Sequence, residues 1–395
     1  MKTRISDIQQ MFKNAKARDI GNDSVDTKKI PYAYIVKLTE ACNLSCKYCY
    51  VDSDEDRQRM SFDDALYIVK KIDDSVERPI ALYLHGGEPC LRPDIIEAIG
   101  EAIQAGLYKN QITLLMQTNG TLINDRIIDM VKKYNINVGV SIDGITAKAN
   151  QLRPYKNGDS LNLTLRGIHR LLEDNIEIGI YSVITNKNIG CIVDTISYFA
   201  NLGVRDFVTG PYVLWGSAHN MRGWMVTDDE LYSYYVNLID WIITHNNGKE
   251  PFQRVHERNL HWWYRSLFFG ERGYMCASMS PCGAGRATVG VGCEGNVYFC
   301  DQFYGDEKFL LGNMLQHEHI DDLFNNAKDK IEGLTRRIAD ITECASCKWR
   351  YVCGGGCPGL SYYYFNSLSK PSPYCSAMKL ILEYMETNLT KYDDL

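Results

Sequence analysis

The chain has 395 residues, 45% of them hydrophobic and 23% charged, enough to bury a sizeable core in one large domain and a smaller one. A net charge of -6 with scattered lysines excludes recruitment to nucleic acid or an anionic membrane by bulk electrostatics. No apolar run reaches the length of a membrane span, and the polar start "MKTRISDIQQ" is not a secretory signal, so a cytoplasmic location is expected.

Residues 1–30 are polar, with a weak helical pattern at Ile5, Ile8, Met11 and Phe12, and read as an N-terminal extension. From residue 31 short β-type runs alternate with amphipathic helical stretches. Strands are predicted at "YAYIVKL", "IALYLHG", "QITLLMQT", "NVGVSI", "IEIGIYSVI" and "VRDFVTG". Helices are predicted near 61–76, 93–105, 122–133, 160–173 and 188–201. Such alternation implies an α/β fold of right-handed βαβ units on a parallel sheet, open or curved into a partial barrel.

After residue 210 the alternation stops. One helix is expected over 227–246, followed by the aromatic stretch "HERNLHWWYRSLFFGERGY". The Gly-rich C-terminal region holds short strands, "ATVGV" and "NVYFC", and a last helix near 376–389. The domain boundaries follow: extension 1–30, α/β barrel 31–215, helical bridge 216–275 and Cys-rich region 276–395.

Sites in such sheets gather at the C-terminal ends of the strands. Here "TEACNLSCKYCYV" follows the first strand, "HGGEP" the second, "QTNG" the third and "SIDG" the fourth. Four polar or Gly-rich motifs at four successive strand ends mark a site.

Fourteen cysteines in a chain without an export signal point to metal or cluster ligation rather than disulfides. Cys42, Cys46 and Cys49 form a C-x3-C-x2-C triplet in the opening loop. Four thiolates are usual for a four-iron cube, so three leave one iron open to a small molecule. Zinc with a remote fourth ligand is the competing reading, although structural zinc sites usually come as paired knuckles.

The second array runs Cys276-x5-Cys282-x12-Gly295-x4-Cys300, then Cys344-x2-Cys347-x5-Cys353-x3-Cys357, and finally Cys375. Its eight cysteines are the number that two closed cubes require, and spacing alone also accommodates paired zinc.

The first half resembles the radical S-adenosylmethionine (radical SAM) superfamily. The resemblance lies in the cysteine triplet with Tyr48 before its third member, in Gly86, Gly87, Glu88 and Pro89, and in Ser141 and Asp143 of "SIDG". It covers roughly residues 31–210 and implies a partial (βα)6 barrel. In that family the open iron is chelated by S-adenosylmethionine, and one electron releases a 5′-deoxyadenosyl radical. The resemblance implies that the GGEP backbone contacts the methionine amino group, that polar groups at the fourth strand contact the ribose, and that Tyr48 packs near the adenine.

The C-terminal array resembles the SPASM extension of the same superfamily, whose members modify peptides and proteins. By that resemblance Cys276, Cys282, Cys300 and Cys357 hold one auxiliary cluster, and Cys344, Cys347, Cys353 and Cys375 the other. Cys293 competes with Cys276 for the first of these. The expected cofactors are therefore three [4Fe-4S] clusters and S-adenosylmethionine.

Cys90, Cys191 and Cys293 remain as small buried hydrophobes. The histidines show no ligand spacing and read as structural. "SYYYF", residues 361–365, reads as local packing or as a peptide-binding face.

Asp301 follows Cys300 directly, and in sulfatase maturases an aspartate at the matching position is the proton acceptor. Its other reading is a solvated loop carboxylate or a group that supports a neighbouring cluster ligand. The segment "CGAGRATVGVGCEGNVYFCDQFYGDEKFLLGN" resembles maturases of ribosomally made peptides, which install thioether or carbon–carbon crosslinks. Asp301 and the Cys276–Cys282 spacing suit instead the sulfatase maturases, which make formylglycine. The resemblance implies a peptide or protein substrate and an electron donor such as flavodoxin or ferredoxin. About thirty residues before the first strand are too few for a leader-binding domain. The substrate is then expected at the barrel mouth and SPASM region, or delivered by a separate protein. A cluster protein that only transfers electrons would keep the cysteines without needing the GGEP loop.

Overall fold

The computed structural model describes residues 30–51, 57–155, 159–216, 221–271, 282–390 and 395. The helical pattern at Ile5–Phe12 and Cys276 lie outside the described residues. Among those described, six βα pairs follow one another: β1 (Ala33–Thr39) and α1 (Phe62–Ser75), β2 (Ile80–Gly86) and α2 (Pro93–Gln104), β3 (Ile112–Thr118) and α3 (Asp125–Lys133). Then come β4 (Asn137–Ser141) and α4 (Leu161–Glu173), β5 (Ile178–Ile184) and α5 (Ile192–Asn201), β6 (Asp206–Pro211) and α6 (Asp228–Asn246). This is the α/β alternation that the sequence predicts.

Local chemistry sets the boundaries. β1 reads "AYIVKLT" and is buried along nearly its whole length, as a strand flanked on both faces must be. Ser61 caps α1 by accepting from the Asp64 amide at 3.0 Å, and Asn124 caps α3 in the same way at 3.1 Å. Thr227 and Glu230 close a reciprocal capping box at the start of α6.

The chain forms two compact units. One takes residues up to 45, 49–139 and 283–335; the other takes 46–48, 140–282 and 336–395. The boundary runs through β4. In the first unit β1 lies between β2 and a later strand, β8 (Thr288–Val291), and pairs in parallel with both. β9 (Asn296–Tyr298) and β10 (Leu310–Asn313) continue antiparallel beyond β8. The strands expected within the Cys-rich region thus complete the edge of the first strand. Their motif lies far along the chain, but the open edge of β1 offers them backbone partners.

In the second unit β5, β6 and the two-residue β7 (His256–Glu257) run parallel, and α7 (Arg258–Phe269) carries the aromatic stretch. Glu257 is 1% exposed and caps α7 by accepting from the Leu260 amide at 2.9 Å. The Cys-rich end contributes α8 (Ile320–Asn326) and α9 (Lys328–Leu334) to the first unit. It contributes α10 (Pro358–Phe365) and α11 (Cys375–Asn388) to the second. No helix among the described residues is long and apolar enough to cross a membrane.

Candidate functional site

In the first unit the loops after β1, β2 and β3 are bound into one another. The backbone of Gly86 and Gly87 runs against the start of the cysteine loop, with the Gly87 amide donating to Thr39 O at 2.7 Å and the Glu88 amide to Ala41 O at 2.9 Å. A Cβ on Gly86 would fall 2.2 Å from Thr39 O, and one on Gly87 2.2 Å from Ala41 O. Gly86 also has φ +144°, so both positions exclude a side chain. Glu88 is fully buried, and its carboxylate accepts from the Thr118 hydroxyl (2.7 Å), the Asn119 amide (2.7 Å) and the Cys90 amide (3.0 Å). Burial pushes its pKa up, against these three donors.

Asn119 then reaches the cysteine loop itself. Its side chain donates to Asn43 Oδ1 at 2.9 Å and stands 3.8 Å from Cys42 Sγ, while Asn43 donates to the Thr121 hydroxyl at 2.7 Å. The Leu44 amide lies 3.4 Å from the same sulfur. Donors converging on Cys42 favour its thiolate, the form that binds iron.

A second cluster in this unit surrounds Asp301. Lys37, in the middle of β1 and fully buried, places its ammonium 2.8 Å from Asp301 Oδ1 and 2.9 Å from the Tyr50 hydroxyl. Tyr50, one residue after Cys49, donates to Asp301 Oδ2 at 2.6 Å. The ammonium also sits 4.5 Å from the ring centres of both Tyr50 and Tyr304. His85 is opposite Lys37 in the β1–β2 register, and burial and the Lys37 charge hold its pKa down at about 4. Burial alone would raise the pKa of Asp301; Lys37 and His85 overcome it and hold the carboxyl below its usual range. Gly290 of β8 leaves room for this turn, since a Cβ there would stand 3.0 Å from Asp301 Cα. Asp301 is therefore a buried, ion-paired carboxylate and not a solvated loop residue.

In the second unit Tyr48 donates to Asp143 Oδ2 at 2.5 Å and accepts from Arg153 at 2.9 Å. The other Asp143 oxygen accepts from the Val183 amide at 3.1 Å. Burial pushes the Asp143 pKa up, opposed by Arg153 and Tyr48. Ser141 ends β4, half-buried. Tyr48 packs edge-on to Tyr212 (centroids 6.4 Å apart), which packs edge-on to Trp224 (5.9 Å). From "SYYYF", Tyr363 and Tyr364 pack against the Tyr212–Leu214 cluster, and Tyr363 stacks on Trp215 at 6.0 Å.

The same unit holds a pocket lined by Cys344, Cys347, Cys353 and Cys375, with Trp349 among its other walls. Burial pushes the Cys353 thiol up to about 11, and the neighbouring thiols Cys344, Cys375 and Cys347 add to the rise. Arg336, buried beside them, donates to Lys370 O at 3.0 Å, to the Ser361 hydroxyl at 3.2 Å and to carbonyls of the Gly354–Gly356 turn. Burial disfavours its charge, while Cys282, Cys357, Cys344 and Cys353 favour it. One cation therefore serves thiols from both expected auxiliary sets. The Cys282 amide donates to the Arg336 carbonyl at 3.3 Å.

Three cysteines stand apart. Cys90 is buried beside Met116 and Thr118. Cys293 is buried, donates to Lys37 O at 3.3 Å, and has its thiol pushed up to about 12, chiefly by burial. Cys191, expected to be buried, is only partly so, because it sits at the start of α5, where its thiol donates to Asn188 O at 3.1 Å.

Two family models match the chain: the radical SAM superfamily over residues 36–199, and the SPASM iron–sulfur cluster-binding domain over 282–348. Residues 36–199 thus carry a radical SAM domain, and residues 282–348 a SPASM domain.

Relatives fall into several groups. An uncharacterised protein of Methanocaldococcus jannaschii is 37% identical over 172 residues, 43% of this chain and 59% of that protein's own length. The mycofactocin maturase MftC of Mycobacterium ulcerans is 27% identical over 87% of this chain and 88% of its own. A serine-type anaerobic sulfatase-maturating enzyme of Bacteroides thetaiotaomicron is 24% identical over 88% and 91%. Among solved structures, native anSMEcpe with bound AdoMet has a TM-score of 0.77 at 24% identity, covering 90% of this chain and 97% of that one. Streptococcus suis SuiB bound to precursor peptide SuiA has a TM-score of 0.64 at 17% identity, covering 88% and 76%. These two share the fold.

The radical SAM and SPASM domains imply [4Fe-4S] clusters and S-adenosylmethionine, and the donor sets fit them. Four thiols line one pocket, and Cys42 sits under amide donors in a glycine-tight loop. Sequence reasoning missed Lys37, Tyr50, His85, Arg153, Arg336 and Trp349. Lys37 carried a signal as the one charged residue in "YAYIVKL", and Tyr50 and His85 lie inside the "TEACNLSCKYCYV" and "HGGEP" motifs without having been singled out.

Proposed function

We propose that this radical SAM/SPASM enzyme modifies a ribosomally made peptide by hydrogen abstraction, installing an intrapeptide thioether or carbon–carbon crosslink. The observation that carries this reading is similarity over most of both lengths to a maturase, MftC, in a chain with both cysteine arrays. SuiB, a fold relative solved with a precursor peptide, supports the substrate class.

Bound together, the first cluster and S-adenosylmethionine supply a 5′-deoxyadenosyl radical. Cys42, Cys46 and Cys49 would hold that cluster. The GGEP loop would meet the cosubstrate through its backbone, because the Glu88 side chain is spent on the β3 loop. Ser141, Asp143 and Tyr48 would border the ribose and adenine. Cys344, Cys347, Cys353 and Cys375 would hold one auxiliary cluster, and Cys276, Cys282, Cys300 and Cys357 the other, for three cubes in all. The buried hydrogen bond of Cys293 to Lys37 O favours Cys276 over Cys293.

Asp301 would take the proton that leaves the substrate as the electron departs. It is ionised beside Lys37, and two of a carboxylate's roughly four acceptor sites stay open after Lys37 and Tyr50 are counted. A flavodoxin or ferredoxin in the cytoplasm would serve as reductant, and a separate protein could deliver the peptide.

The second reading is formylglycine formation on a sulfatase. The geometry around Asp301 and similarity to a sulfatase-maturating enzyme favour it. Anaerobic incubation with S-adenosylmethionine and reductant, followed by mass spectrometry, separates the two. The substrates are peptides encoded beside the gene and a sulfatase-motif peptide. Loss of two hydrogens from a neighbouring peptide, with fragmentation blocked between two residues, is the expected result. An aldehyde on the sulfatase peptide alone would move the assignment.

A further inference from the structure

The indole N–H of Trp349 is a buried donor without a partner among the described residues. The residue is 8% exposed, its Nε1 is fully enclosed, and no acceptor of those residues lies within hydrogen-bonding reach. Buried donors are rarely left unpaired, because desolvation is then uncompensated. The backbone is fixed, since the Trp349 carbonyl accepts from the Val352 amide at 2.9 Å and the Cys353 amide at 3.2 Å. The ring is held by the Lys348 ammonium, 4.2 Å over its face.

Trp349 lines the pocket of Cys344, Cys347, Cys353 and Cys375. Besides Lys379, the other charged or hydroxyl residues lining that pocket are engaged. Glu343 pairs with Lys370 at 2.7 Å, Arg350 donates to Cys347 O at 3.0 Å, and the Ser372 hydroxyl accepts from the Tyr374 amide at 3.2 Å. The unpartnered indole thus belongs to a residue that lines a site whose four thiols can receive sulfur and iron.

We infer that Trp349 donates its indole N–H to a sulfur of the cluster held by these four cysteines, and so sets that cluster's reduction potential. A donor to cluster sulfur stabilises the reduced form, which carries one more negative charge, and raises the potential. Trp349 is thus a tuning residue that acts through the cluster, and the inference rests on the pocket holding one.

The test uses the reconstituted holoenzyme. Loss of about four irons in the Cys347→Ala variant establishes that the pocket holds a cube and identifies its signal; unchanged iron would sink that reading by itself. On that signal, redox titration followed by electron paramagnetic resonance should give Trp349→Phe a more negative midpoint at unchanged iron content. Lys348→Met, which keeps the N–H, should retain the hyperfine signature described next. In unmutated protein labelled with 15N-tryptophan, pulsed resonance on the reduced cluster should show 15N coupling and an exchangeable deuteron. This second readout stands even if the Phe variant fails to fold. A loaded cluster without tryptophan coupling, or an unchanged midpoint in Trp349→Phe, would overturn the inference and assign the N–H to a buried water.

Discussion

Asp301→Asn is expected to lower peptide modification by about 10²–10⁴-fold, the usual contribution of a positioned general base, while 5′-deoxyadenosine release continues. The side chain keeps its shape, its Oδ1 still accepts from Lys37, and its amide meets the Tyr50 hydroxyl with the donor reversed. Lys37 loses its counter-charge, so the comparison is made well below the variant's lowered unfolding midpoint, where the site for the first half of the reaction is retained. What disappears is the acceptor for the second proton. Both products are read from one chromatogram under anaerobic conditions. Equal loss of both would mean that Asp301 instead supports the fold or the first cluster.

Lys37→Met is expected to destabilise the first unit by about 3–5 kcal/mol, the range seen when one partner of a buried ion pair is removed. Lys37 is fully buried, and its ammonium is bonded to Asp301 and Tyr50. Asp301 then keeps a charge with no counter-ion. Thermal unfolding of the holoprotein should show a lower midpoint. The double variant Lys37→Met/Asp301→Asn should recover most of the loss, because neither charge remains. It also separates two roles: if Asp301 is only a counter-ion to Lys37, the double variant regains peptide modification together with stability. If Asp301 accepts the proton, stability returns and modification stays lost.

The fold's repeating part was legible because its physics is local. β1, β2, β3 and β5 are largely buried strands rich in apolar and β-branched residues, and β4 and β6 bury alternate ones. Ser61, Asn124 and Thr227 announce helix starts through their side-chain oxygens. The cysteine spacings were legible for the same reason, since a tight loop brings thiols together within a few residues. Pairing of β8 with β1 was not, because no periodicity records which strand edge a distant segment will cover. The site's electrostatics followed that blind spot. Lys37 and Asp301 are 264 positions apart and meet only through this edge pairing. Arg336 and Trp349 gave no sequence signal either, since their roles come from burial beside sulfur.

The most direct test is 5′-deoxyadenosine release by the reconstituted holoenzyme under reducing, anaerobic conditions. The account predicts release of 5′-deoxyadenosine and methionine in equal amounts, abolished when Cys46 is replaced by Ala. Intact clusters with no 5′-deoxyadenosine would contradict it and leave an electron-transfer protein in its place.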